Sequence, residues 1–242
     1  MRSNLEGKLR EAYMLMRAWH GHQRWWPGET PFEVCIGAIL VQNTAWSNAE
    51  RAIANLKGEG LLGPAELADL PVARLENLIR PSGSFRVKAR RLRSFLSVLH
   101  EQHGGQLESL FAGPAAEVRT RLLAIHGIGP ETADCLLLYA GGHARFVIDA
   151  YTRRIFQRHG WRPAGAPRHA KGKGRASRYS GYEAWQAMCE KALARTEGRD
   201  LLDYWGDYHA QLVAVGKSWC RASVPRCGQC PLAPLLPSGG PL

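Results

Sequence analysis

The sequence predicts an all-α protein, and three observations carry that prediction. Helix-start signatures recur along the chain, apolar residues return at i, i+3, i+4, i+7 spacing, and no stretch carries a strand signal of comparable strength. With 242 residues, 45% of them hydrophobic, the chain can bury a substantial core as one large domain or two joined lobes.

Thr30-Pro31-Phe32-Glu33 combines an N-cap threonine, proline at N1 and glutamate at N3, a capping box that starts the run "FEVCIGAILVQN". That run is apolar almost all round, which marks a central buried helix. Ser47 and Glu50 form a second capping box opening "NAERAIANLK", closed by Gly58. Helices are expected to begin at Pro64 and Pro71. "SFRVKARRLRSFLSVLHEQH" then sets Phe85, Leu92, Phe95, Leu96 and Leu99 on one face and its arginines on the other.

Val118, Leu122 and Leu123 line the next helix, and Ala133, Leu136, Leu137 and Ala140 the one after it. Between them Gly127 and Gly129 bracket a turn that Pro130 follows at N1. Glycine permits positive φ and brings bare backbone close to a ligand, while the first turn of the second helix offers N–H groups to an anion. Such a helix-hairpin-helix can hold a DNA phosphate, although a plain αα-hairpin that touches nothing uses the same turn.

Asp149 stands at the N-cap of a helix carrying Tyr151, Ile155 and Phe156 and ending near Gly160. Capping is the ordinary role of such an aspartate. Helix dipole and backbone donors would also keep it ionised, which suits stabilisation of positive charge and makes it a poor general acid. Residues 163–181 are Gly/Ala-rich and basic without apolar period and read as a mobile surface loop. Two more helices follow, "YEAWQAMCEKALART" and "DLLDYWGDYHAQLVAVGKSWC".

The net charge of +11 points to a polyanionic partner without separating DNA from RNA or a membrane face. It is concentrated. Five cations lie from Arg86 to Arg93, and nine between Asp149 and Glu183, with no carboxylate in either run; two such runs favour phosphate contact over a merely solvated face. The longest apolar run, "CIGAILV", is too short to span a bilayer, and the amino terminus has no signal-peptide core. A cytoplasmic, nucleoid-associated monomer with no membrane partner is expected. Cys35, Cys135 and Cys189 lie inside helical patterns as buried, reduced thiols, whereas Cys220, Cys227 and Cys230 crowd the carboxyl end.

A hairpin of this kind, followed some twenty residues later by an aspartate that begins a helix, resembles the helix-hairpin-helix DNA glycosylases of the endonuclease III family. The likeness runs from roughly residue 25 to residue 230 in the family's order. It implies a two-lobed all-α fold with the active-site cleft between lobes. Residues 1–30 plus 142–219 would form the terminal helical lobe and 31–141 the lobe ending in the hairpin, with a cysteine loop at 220–230 and a tail at 231–242. "QNTAW" looks like the family loop whose glutamine fills the gap left by an extruded nucleotide, a role that falls on Gln42. "VIDAYTRR" resembles the catalytic segment and gives Asp149 that role. The family's lyases carry a lysine after the hairpin turn, whose amine forms a Schiff base; here Glu131 stands there, so the resemblance implies base release by water.

"RWWPGETPF", with Trp25-Trp26-Pro27, together with Trp46, Glu131 and Lys217, looks like the bacterial 3-methyladenine DNA glycosylases of endonuclease III type. Taken singly, a tryptophan pair is more often core and Lys217 a surface lysine. An alkylated purine is cationic and leaves as a neutral base, and an aromatic sandwich adds roughly 0.5 to 2 kcal/mol of cation–π preference for it. The partner implied is double-stranded DNA with a flipped damaged base. An endonuclease III-like glycosylase/AP lyase for oxidised pyrimidines, or a non-catalytic DNA-binding protein, are the alternatives. Cys220, Cys227 and Cys230 match the first three ligands of the family's 4Fe-4S iron-sulfur cluster. The fourth would fall on Leu236, so a cluster, a zinc site using a histidine such as His209, and an empty loop all stay open.

Overall fold

The computed structural model describes residues 2–164 and 181–242, and among them the chain is helical with no strand, as predicted. It divides into two compact units, one of Trp26–His143 and one of Met1–Trp25 with Ala144–Leu242. Residues 165–180, most of the basic segment read as a surface loop, lie outside the described residues. No described helix is long and apolar enough to cross a membrane.

The central unit comprises α2 (Pro31–Leu40), α3 (Trp46–Gly58), α4 (Pro64–Asp69), α5 (Val72–Leu78), a 3-10 turn at Arg80–Ser82, α6 (Phe85–His103), α7 (Leu107–Leu110), α8 (Ala115–Ala124) and α9 (Pro130–Tyr139). Every residue from Phe32 to Leu40 is buried, so α2 is the axis about which the others pack. Thr30 Oγ1 accepts the Glu33 amide at 3.1 Å. The reciprocal half of the box is altered, since the Glu33 carboxylate takes the Glu29 amide at 3.0 Å and pairs with Lys57 at 2.9 Å.

The second expected capping box does not form. Helix α3 starts at Trp46, with Ala45 as its N-cap and no side-chain cap, which leaves Ser47 inside the first turn. The Trp46 ring packs against α2 at Gly37, where a Cβ would come 3.4 Å from both Trp46 Cη2 and Trp26 Nε1. Tertiary packing of a large ring thus sets the helix start ahead of the local cap signal. Helix α4 begins at Pro64 as expected, while Pro71 serves as the N-cap of α5.

Along α6, Leu92, Phe95, Leu96 and Leu99 are buried. Lys88, one turn before Leu92, falls on this same buried face. Lys88 is 2% exposed, and its Nζ donates to the Ser82 carbonyl at 2.5 Å, satisfying the end of the 3-10 turn. Burial, reinforced by nearby Arg91, lowers its pKa to about 8.

In the second unit, α1 (Arg2–His20), α10 (Ala150–Arg158), α11 (Tyr182–Ala192) and α12 (Leu201–Ser218) pack on one another. Helix α12 is buried from Tyr204 through Val213. Asp207 on α12 accepts the Tyr13 hydroxyl at 2.9 Å, the Arg17 guanidinium at 2.8 Å and the Gln23 amide at 2.8 Å. Gln211, one turn on, donates to the Gly21 carbonyl at 2.6 Å. These bonds fasten α1 and the segment leading to Trp25 onto α12. Cys35, Cys135 and Cys189 are buried and form no disulfide, and burial pushes Cys35 and Cys189 above the usual thiol range.

Candidate functional site

The hairpin turn between α8 and α9 is built from the residues the sequence singles out, with one difference. Gly127 has φ +91°, but Gly129 is extended at φ −107° and acts as the N-cap before Pro130. Gly127 is required on two counts, because a Cβ there would also sit 2.2 Å from Arg91 Cγ. Arg119 on α8 makes a two-pronged ion pair with the fully buried Asp134 on α9, at 2.8 and 3.2 Å, which fixes the two helices against each other. Glu131 lies half-buried in the first turn of α9.

Gln42 is tied to this turn. Its amide nitrogen donates to the Gly127 carbonyl at 3.1 Å and to Thr132 Oγ1 at 3.0 Å, and its oxygen accepts from Arg91. Both amide protons and the oxygen therefore have protein partners. Entry of this side chain into a DNA helix requires those bonds to be exchanged for others.

Trp26 and Trp46 come together edge to face, with centroids 5.4 Å apart and planes at 89°, and Tyr139 lies 5.4 Å from Trp26. The two indoles are partly buried and packed on the apolar core of the central unit, with Pro27 exposed. Trp25, at the edge of the other unit, is half-buried and carries the Lys217 ammonium 5.4 Å from its ring centroid. Desolvation lowers the Lys217 pKa, and Asp149 acts on it in the opposite direction.

Asp149 caps α10. Its Oδ1 accepts the Thr152 amide at 2.7 Å, and its Oδ2 lies 3.8 Å from Nε2 of His209, on α12. The residue is 8% exposed. Burial by itself would raise its pKa, yet His209 and Thr152 more than offset that and hold it below the usual aspartate range. Asp149 is thus an anion held in a nearly dry place, suited to facing positive charge. Close approach of α10 and α12 depends on Gly216, where a Cβ would come 2.3 Å from Tyr151 Cδ1.

Cys220, Cys227 and Cys230 line one cavity with Arg158, His159 and Leu236. Arg158 donates to Cys220 Sγ at 3.2 Å and to the Arg221 carbonyl at 2.7 Å, and Arg154 donates to the Cys220 carbonyl at 2.6 Å. The loop is therefore fastened to α10 by guanidinium groups. Three thiols and an aliphatic side chain do not supply a four-cysteine ligand set, and among the described residues no three of His, Cys, Asp and Glu are arranged to hold a metal ion. His209 lies against Asp149, and the histidine lining the cysteine cavity is His159. Sequence reasoning missed His209 at this site. Its one available signal was the eight-residue spacing to Lys217, which puts both on one face of α12.

Two helices joined by a positive-φ glycine turn, with an ionised aspartate capping a later helix, define the helix-hairpin-helix class of DNA-binding proteins. Comparison with known proteins goes further. Residues 36–174 match the family described as HhH-GPD superfamily base excision DNA repair protein, and the chain belongs to that family. It is 36% identical over 233 residues, 96% of this chain and 97% of the other, to a candidate DNA repair glycosylase of Methanocaldococcus jannaschii. Its fold matches a non-covalent endonuclease III–DNA complex with a TM-score of 0.71 at 21% identity, covering 96% of this chain and 94% of that one. An H. pylori 3-methyladenine DNA glycosylase bound to 1,N6-ethenoadenine matches with a TM-score of 0.69 at 23% identity, covering 88% and 97%. The chain is a DNA N-glycosylase of base excision repair.

Proposed function

We propose that this glycosylase releases alkylated, 3-methyladenine-like purines from double-stranded DNA, as a monomer and by water rather than through a covalent enzyme intermediate. The observation that carries the reading is the seat of Lys217 on Trp25. The Trp25 face lies 5.4 Å from the Lys217 nitrogen, and its quadrupole would favour a cationic base once that amine is neutral, the form its desolvation favours. Glu131 supports the hydrolytic route, since a carboxylate cannot form an imine. Asp149, held ionised, would stabilise the oxocarbenium-like sugar as the neutral base departs. The hairpin turn would bind backbone phosphate, and the cysteine loop would place Arg221 and Arg226 beside the duplex in a structural role.

The test is base release from a duplex carrying methylated purines against one carrying oxidised pyrimidines. Faster release of methylated purines is expected, and release of oxidised pyrimidines alone would overturn the substrate assignment. A second reading is favoured by Lys217, an amine of lowered pKa within the electrostatic reach of Asp149. Were this amine to attack the sugar, borohydride would trap a covalent adduct on abasic DNA that Lys217→Met abolishes. The hydrolytic reading expects no strong adduct.

A further inference from the structure

Helix α12 brings a second titratable side chain to Asp149. His209 is 4% exposed and sits midway along the helix, with Nε2 3.8 Å from Asp149 Oδ2. The other oxygen, Oδ1, is committed to the Thr152 amide at 2.7 Å. The two carboxylate oxygens thus face partners from different helices.

A buried histidine is most often a packing residue, and two observations argue for more here. His209 is buried and brings its polar ring to within 3.8 Å of a carboxylate, where an aliphatic side chain would fill space without the desolvation cost of a polar ring. The helix carrying it is also held on two sides. Asp207 and Gln211 are bonded to Tyr13, Arg17 and the backbone at Gly21 and Gln23. On the α10 side, Gly216 admits the Tyr151 ring so closely that even one methyl group would not fit. These contacts seat the stretch of α12 that carries the imidazole against α1 and α10.

We infer that His209 is a positioning residue for Asp149, fixing the direction of Oδ2 so that the carboxylate presents its charge to the reacting sugar in a single orientation. This rests on Asp149 being the catalytic carboxylate. A separation of 3.8 Å is long for a hydrogen bond, and such contacts in uncomplexed enzymes commonly tighten when substrate binds. No proton transfer is required, because His209 acts by orienting Oδ2.

The test compares His209→Leu with His209→Gln in single-turnover base release, using whichever damaged base the parent enzyme releases. Leucine preserves apolar packing and removes the polar edge, whereas glutamine keeps an N–H donor. His209→Leu is expected to slow release by about 10- to 100-fold, with duplex affinity changed by less than about twofold. His209→Gln should stay within about fivefold of the parent. In an Asp149→Asn background, His209→Leu should add little further loss, since its effect runs through the carboxylate. Parent-like release by the leucine variant, a glutamine variant slower than the leucine one, or an undiminished loss in the asparagine background would each overturn the assignment. Should the leucine variant fail to fold, glutamine decides alone, and a loss above about 100-fold refutes the inference. A parent that releases bases other than alkylated purines would remove the substrate reading and leave this test intact. Full activity in Asp149→Asn would remove both.

Discussion

The hairpin of the central unit and the α10–α12 pair of the terminal unit present function by opposite means. In the function proposed above, the working atoms at the hairpin are backbone N–H groups, and side chains hold that backbone in place: Gln42 bonds the turn, Arg91 fills the space beside Gly127, and Arg119 ties α8 to α9 through Asp134. At the α10–α12 pair the proposed working atom belongs to a side chain. Asp149 is placed by its own helix cap and by an imidazole from a helix far along the chain. A backbone site loses function when its scaffold softens; a side-chain site loses function when one group changes and the scaffold remains.

Removing Arg119 puts the largest strain on this contrast. Arg119→Met leaves the fully buried Asp134 without its two-pronged partner, and losing one member of a buried pair costs about 3–5 kcal/mol. Chemical denaturation should register that loss, with duplex affinity falling as the turn loosens. Arg119→Met with Asp134→Leu should recover much of the stability. A stable single variant with parent affinity would show that the hairpin does not depend on this pair.

Asp149→Asn makes the opposite demand. Asparagine caps a helix about as well as aspartate, so melting should hardly move, while single-turnover base release should fall by about 100- to 1,000-fold. Loss of folding together with activity would erase the distinction drawn between the two regions.

Gln42 lies between these cases. Three hydrogen bonds join it to Gly127, Thr132 and Arg91, and leaving such partners unsatisfied costs about 1–3 kcal/mol. Gln42→Ala should therefore lower stability as well as affinity for DNA holding an extruded nucleotide. A loss of affinity with unchanged stability would assign Gln42 to the duplex alone.

What could be seen in the sequence follows the same division. The Asp149 cap, the Thr30 cap and the Gly127 turn were legible because each is decided within a few residues: a side chain meets an amide three positions on, or a φ angle excludes a Cβ. The partners that complete those features were not. Tyr13 meets Asp207 across 194 positions and Gln42 meets Gly127 across 85, and no local pattern encodes such pairings. Ser47 shows the converse, a sound capping signal overruled because the Trp46 ring had a better place against Gly37. The cations of Arg86 to Arg93 read together as candidates for phosphate contact, whereas Lys88 among them is buried on the Ser82 carbonyl, a partner supplied by the preceding turn that no charge pattern encodes.

Lys88 gives the smallest expected effect and the finest test of how tightly the central unit is held. Its pKa falls from the usual 10.5 to about 8 in the folded protein. Below that value both folded and unfolded chains carry the proton, and the group adds no pH dependence. As pH rises past it, the folded form releases the proton while the unfolded chain retains it, so stability increases with pH up to the unfolded value. Between pH 7 and 8.5 the gain from this one group should be about 0.8 kcal/mol. Denaturation at the two pH values should reveal it, and Lys88→Met should abolish it. A slope of opposite sign, or one that survives the substitution, would mean that the ammonium keeps its water and that the turn at Ser82 is held by something other than Lys88.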